Sequence, residues 1–127
     1  MKIAMIIVRT LVGLLFIFPT VTLLLHLITP PPMEGAMKAF NDGLTASGYF
    51  FPLLLGTEFV CGILLLIGRF VPLALVILAP IIINILMVHV FMDPSGLPVA
   101  IFLVLASIFL AYYYQKAFAP LLTPKYE

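Results

Sequence analysis

The sequence predicts an all-α fold: a transmembrane four-helix bundle, antiparallel, with a short amphipathic helix in the first loop. Hydrophobic residues make up 65% of the 127 residues and charged residues only 9%, whereas a soluble domain carries about 25% charged residues. Four apolar stretches cover about 3–28, 49–67, 70–92 and 97–118. At about 1.5 Å of rise per residue, each can cross a hydrocarbon core of about 30 Å. We expect a single membrane domain over residues 1–127.

The first span, residues 3–28, carries one charge, Arg9. The apolar run continues to Ile28 without the small-residue cleavage site of a signal peptide, so we expect it to stay in the protein as a helix. Pro19 lies inside this helix and predicts a kink. Arg9 either snorkels toward the nearer interface or faces the bundle interior and pairs with an acidic residue.

The first loop, residues 29–48, contains a short amphipathic pattern. Pro30–Pro32 end the first helix. The apolar residues that follow recur at helical spacing and form one stripe, made of Met33, Ala36, Met37, Phe40 and Leu44. Glu34 and Lys38 stand four residues apart and predict an ion pair. We expect this helix to lie flat on the membrane surface over the mouth of the bundle.

The second span is notable for Glu58, which lies near the middle of an otherwise apolar stretch. A carboxylate at that depth costs about 2.5–3.5 kcal/mol on insertion scales, so a neighbouring group is expected to offset the cost. Gly62, one turn away, allows another helix to come close. Two interpretations stay open. Glu58 is a neutral structural group hydrogen-bonded to a neighbour, or it contacts a proton, ligand or cofactor.

The third and fourth spans follow tight connections, as antiparallel neighbours require. Gly68-Arg69 precedes the third span, and Asp93-Pro-Ser-Gly96 has the chemistry of a type I turn before the fourth. Pro80 predicts a kink in the third span. Asn84 is predicted to hydrogen-bond Glu58, while His89 is interpreted as a structural histidine in preference to a ligand.

The distribution of basic residues predicts the orientation. With both termini cytoplasmic, one side collects Lys2, Arg69, Lys116 and Lys125, while the other has Lys38 alone. In this orientation Arg9 lies about 9 Å, Glu58 about 13 Å and Asn84 about 21 Å from the inner ends of their helices. We therefore predict a polar column Arg9–Glu58–Asn84 inside the bundle. His26 and His89 lie near the outer side, where a haem held between them is a weaker alternative.

Several short motifs occur together along most of the chain. They are Arg9-x-x-x-Gly13-x-x-Phe16, Pro-Pro-Met-Glu-Gly-Ala at 31–36, Gly48-Tyr-Phe-Phe-Pro-Leu-Leu, Glu58, Asn84-x-x-x-x-His89 and Asp93-Pro-Ser-Gly-Leu-Pro98. In this combination, over roughly residues 5–122, the chain resembles the DoxX family of small four-span bacterial membrane proteins. Members of that family often carry a Glu near the position of Ser107.

The resemblance implies a multi-pass protein of the bacterial inner membrane. Some members of the family are subunits of quinone-linked oxidoreductases or partners in membrane redox complexes. The residues that match the family pattern are Arg9, Glu58, Asn84 and His89, and these are the predicted binding or polar-core residues. The lipid bilayer is one expected partner. The resemblance implies two more: a quinone contact and a redox-enzyme partner subunit.

The sequence lacks the residue patterns that are typical of nucleic-acid binding, of catalysis and of metal binding. There is no Lys/Arg cluster for nucleic acid, no Ser/His/Asp set, no phosphate-binding loop and no metal-ligand cluster; Cys61 is the only cysteine. We therefore expect no catalysis by the chain alone, although it remains a candidate oxidoreductase subunit. The preferred hypothesis is a subunit or accessory of a redox or stress-response complex. The alternatives are a small proton-coupled carrier that uses Glu58 and a structural membrane protein; a homo-oligomer is compatible with all three.

Overall fold

The computed structural model describes residues 1–25 and 34–124 of the chain. Its α-helices are α1 (Lys2–Leu24), α2 (Gly35–Ala46), α3 (Phe50–Ile67), α4 (Val71–Phe91), α5 (Leu97–Tyr113) and α6 (Gln115–Phe118). Short 3-10 turns at Pro94–Gly96 and Ala119–Leu122 follow α4 and α6, and these two described ranges contain no strand. Four of the helical segments are long and apolar enough to cross a membrane. The predicted all-α four-helix fold is confirmed, and the chain is an integral membrane protein.

The end of the fourth span differs from the sequence prediction. Residues 26–28 of the predicted first span lie outside the described ranges. The fourth span was predicted to run to residue 118, but α5 ends at Tyr113 because Tyr114 leaves helical geometry at φ −96° and ψ 20°. The four residues of α6 then form a separate helix. The break comes where the apolar residues of α5 give way to Tyr114, Gln115 and Lys116.

The first and last spans meet at one end of the bundle. The Tyr114 hydroxyl donates a hydrogen bond to the Met5 sulfur over 3.3 Å, joining the start of α1 to the end of α5. The connections between α3, α4 and α5 are short, so successive spans run antiparallel. We call the end with Met5, Gly68 and Tyr114 the terminal end. The loop end is the opposite one, where α1 finishes and α3 begins.

The core is a narrow line of apolar side chains between the four spans. Its fully buried members include Val12, Leu65, Leu78 and Leu110. Many large apolar side chains point outward instead, among them Phe18 at 62% and Leu53 at 62% exposure. In a membrane span such side chains face hydrocarbon.

The closest helix crossing joins α1 and α3 at a pair of glycines. A Cβ added at Gly13 would lie 2.9 Å from the Gly62 carbonyl oxygen, and one added at Gly62 would lie 3.0 Å from the Gly13 carbonyl oxygen and 2.7 Å from Ile17. The two backbones are therefore in direct contact, as small residues permit between membrane helices. Gly62 was predicted as a close-approach point, while its partner Gly13 was not identified in that role.

The connection from α3 to α4 relies on two left-handed residues. Gly68 ends α3 at φ 73°, and its backbone N–H donates to the Leu64 carbonyl over 3.0 Å. This is the usual helix-ending arrangement for glycine. Phe70, at φ 55°, is the only non-glycine residue with positive φ among the described residues.

The first loop contains the predicted amphipathic helix as α2. Its apolar stripe is partly buried at Met37, Phe40 and Leu44, whereas Met33 lies outside the described residues. The predicted Glu34–Lys38 ion pair is wrong: Lys38 pairs with Asp42, with 3.5 Å between Nζ and Oδ2. Glu34 is the N-cap residue in extended geometry, so its side chain does not follow the helical i, i+4 spacing.

Candidate functional site

Glu58 is the acidic residue of the membrane-spanning helices, and it lies half-buried on α3. It is four residues, one turn, from Gly62 on the loop-end side of the glycine crossing. Across residues 1–25 and 34–124, its carboxyl group takes part in none of the side-chain hydrogen bonds and none of the ion pairs. The hydroxyl of its neighbour Thr57 donates instead to the Leu53 carbonyl. The described part of the chain therefore leaves the Glu58 carboxyl group available.

Arg9 is half-buried on α1, and its guanidinium group points toward the terminal end. A Cβ built at Gly68 would collide with Nη1, Cζ and Nη2 of Arg9, so the guanidinium lies directly against that glycine. Ten residues of α3 separate Gly68 from Glu58, which corresponds to about 15 Å along the helix axis. Among the described residues, Arg9 Nε is buried and has no hydrogen-bond partner.

Asn84 does not face the interior. Its side chain is exposed on the outer surface of α4, on the far side of the helix from the buried Leu75, Leu78 and Ile82. No hydrogen bond among the described residues involves its amide. The predicted hydrogen bond from Asn84 to Glu58 is therefore not formed.

The polar column Arg9–Glu58–Asn84 is thus not present within the described residues. Arg9 extends toward the terminal end, Glu58 stays one turn beyond the glycine crossing, and Asn84 faces outward. The physical reason is that the depth estimate uses only positions along the helix axis. Two side chains at similar depth meet only if their helices also turn the same faces inward. Whether the three residues bind a ligand separately stays a prediction.

His89 stabilises the turn at the loop end. Its Nδ1 lies 3.0 Å from the Asp93 carbonyl oxygen, and a carbonyl only accepts, so the Nδ1–H donates. The ring packs over Gly96, where a Cβ would collide with Cε1. This geometry fits the structural interpretation of His89. The other histidine of the haem alternative, His26, lies outside the described residues.

An apolar groove between α4 and α5 was not predicted. It has a volume of about 410 Å³ and lies in the half of the bundle nearer the terminal end, with Phe118 of α6 among its lining residues. Its lining includes Ser107, whose buried Oγ has no hydrogen-bond partner among the described residues. The signal in the sequence that could have indicated this groove was Ser107, a hydroxyl group inside an otherwise apolar span.

Metal binding by clustered side chains finds no support in the described ranges. Residues 1–25 and 34–124 contain no group of three or more His, Cys, Asp or Glu side chains arranged to hold an ion. Cys61 is buried beside the glycine crossing and packs as a small core residue.

No model of a protein family matches this chain, and neither the curated proteins nor the solved structures contain a match.

Proposed function

We propose that this protein is a DoxX-like membrane subunit or accessory of a redox or stress-response complex, and that it works as part of an assembly. In this proposal it lies in the bacterial inner membrane with both termini in the cytoplasm. The terminal end, which carries Arg69 and Lys116, then faces the cytoplasm as the positive-inside rule requires. Glu58 is the residue that contacts the partner, and the α4–α5 groove is a separate site for a quinone.

The observation that carries the proposal is the state of Glu58. A carboxyl group inside a membrane span is costly unless it finds a partner. Within the described residues it finds none: the guanidinium of Arg9 lies at Gly68, about 15 Å away along α3. A group supplied by another subunit or by a ligand would offset the cost of Glu58.

The quinone part of the proposal is supported by the α4–α5 groove. Its lining is apolar except for Ser107, and quinones of bacterial membranes combine an apolar tail with carbonyl oxygens that accept hydrogen bonds. The Ser107 hydroxyl is buried at this lining and has no hydrogen-bond partner among the described residues. A lipid acyl chain has the same apolar chemistry and would compete with a quinone for the groove.

The two alternatives have less support. A carrier needs a path that reaches Glu58, and neither of the two grooves formed by described residues, between α4 and α5 and between α1 and α5, includes Glu58 in its lining. A purely structural role requires the polar residues to hold the helices together. The α1–α3 contact is made instead by backbone at Gly13 and Gly62.

The proposal is tested with Glu58→Gln in the native host membrane. This change keeps the shape of the side chain and removes its ability to ionise. We expect weaker co-purification with an oxidoreductase partner, or slower quinone-dependent turnover, at unchanged expression of the variant.

The matched control is Glu34→Gln, which changes an exposed carboxyl group outside the spans. It should leave both readouts at the wild-type level. The proposal is contradicted if Glu58→Gln also leaves partner recovery and turnover unchanged.

A further inference from the structure

The outward face of α4 carries the polar side chain of Asn84 at a depth where the surrounding hydrocarbon has no hydrogen-bonding groups. Asn84 lies thirteen residues after Val71 and seven before Phe91, which is about 20 Å and about 10 Å from the two ends of the helix. Its side chain is exposed, and no described residue hydrogen-bonds it. The carbonyl and phosphate groups of lipids lie at the interface, so a lipid tail at this depth cannot pair with the amide.

Asn84 belongs to a regular line of exposed residues. Going along α4, residues of this line recur at alternating steps of four and three, and we call them the α4 seam: Leu73, Ile77, Pro80, Asn84, Met87 and Phe91. Steps of four and three are the spacing through which two helices pack along their length. The seam carries no charge, so nothing in it repels an identical surface.

The chemistry of the amide favours an identical partner. An Asn side chain has both donors and an acceptor, so two copies related by a two-fold axis can donate to each other. A single Asn in an otherwise apolar seam fixes register and partner number in paired helices. In membranes, Asn side chains hydrogen-bond across helices in the same way.

We propose that the α4 seam joins two copies of this chain into a parallel dimer with Asn84 paired to Asn84. The position of Asn84 requires copies that are inserted in the same direction. If one copy were inverted, the two amides would stand about 10 Å apart in depth and could not meet. This inference does not depend on the function proposed above.

The first test measures the monomer–dimer equilibrium of the purified protein in lipid bilayers, diluted over a range of protein-to-lipid ratios. Wild type should dimerise, and Asn84→Leu should weaken dimerisation roughly tenfold. Asn84→Gln keeps the amide and should retain most of the dimer. At a dilution where wild type is also monomeric, the thermal stability of Asn84→Leu should match that of wild type, because Asn84 contacts no described residue through a hydrogen bond.

The second test locates the interface by oxidative cross-linking in a Cys61→Ser background, which removes the only native cysteine. Met87→Cys lies in the seam and should form a disulfide between two copies. Phe102→Cys lies at a similar depth in the groove between α1 and α5 and should not. A wild type that stays monomeric, an Asn84→Leu dimer as tight as wild type, or a cross-link from Met87→Cys to a different protein overturns the inference.

Discussion

The guanidinium of Arg9 lies in the space that Gly68 leaves open, and the same glycine turns the chain from α3 into α4. Its φ of 73° is a conformation that L side chains rarely adopt. A methyl group at this position would meet both problems, since it would strain the backbone and displace Arg9. Gly68 thus ends α3 and also leaves the space that the Arg9 guanidinium occupies.

For this reason we predict that Gly68→Ala lowers the free energy of unfolding by about 1–2 kcal/mol, because alanine is strained in the left-handed conformation. Displacement of the Arg9 guanidinium should lower it further. Thermal unfolding of the purified protein in detergent measures the effect. The control is Gly43→Ala, which lies in α2 with an ordinary φ and open space around its Cβ. Equal melting temperatures for Gly68→Ala and wild type would contradict this assignment.

At the scale of the elements, α1 and α3 are held by backbone contact at Gly13 and Gly62. Lipid tails are as apolar as the helix surfaces, so close packing of small residues is what favours helix association in a bilayer. Ile17 and Leu66 flank the crossing and fill the space on either side of it. The position of Glu58 relative to α1 is a consequence of this contact.

We predict that Gly13→Ala and Gly62→Ala each destabilise the bundle by about 1–3 kcal/mol, because an added methyl group would overfill the crossing. Gly56→Ala is the matched control on the same helix as Gly62, since nothing lies within 4 Å of its Cβ. It should be neutral or slightly stabilising, as alanine has the higher helix propensity. Resistance to unfolding in a denaturing detergent compares the three variants. A loss for Gly56→Ala as large as for Gly62→Ala would argue against the crossing.

The number and type of the helices could be predicted from the sequence. Which face of each spanning helix turns toward the bundle interior could not. In hydrocarbon every backbone polar group must be paired within the chain, so a long apolar stretch specifies a helix. The spans are apolar on all sides, and their hydrophobic pattern therefore does not tell which face turns inward. That is why the direction of Asn84 was predicted wrongly, while the amphipathic α2 was recognised from its stripe.

At the scale of the whole molecule, two polar side chains of the spans, those of Glu58 and Asn84, form no hydrogen bond or ion pair with the described residues. Glu58 is half-buried on α3, on the same side of that helix as the buried Cys61 and Leu65, whereas Asn84 is exposed on α4. An amide pairs with its own copy, whereas two carboxyl groups do so poorly when ionised. We therefore assign Asn84 to contact between copies and Glu58 to a different partner or ligand.

The central proposal is that a partner or ligand covers Glu58, which has no partner among the described residues, and carbodiimide labelling tests it most directly. Dicyclohexylcarbodiimide is apolar and reacts with carboxyl groups reached from hydrocarbon. The labelled fraction of Glu58 is measured by peptide mass spectrometry in native membranes and in the purified protein reconstituted into the same lipids, with Glu58→Gln as the unlabelled reference. We predict severalfold more labelling in the purified protein, because the partner is then gone. Equal labelling of Glu58 in both preparations would contradict the account.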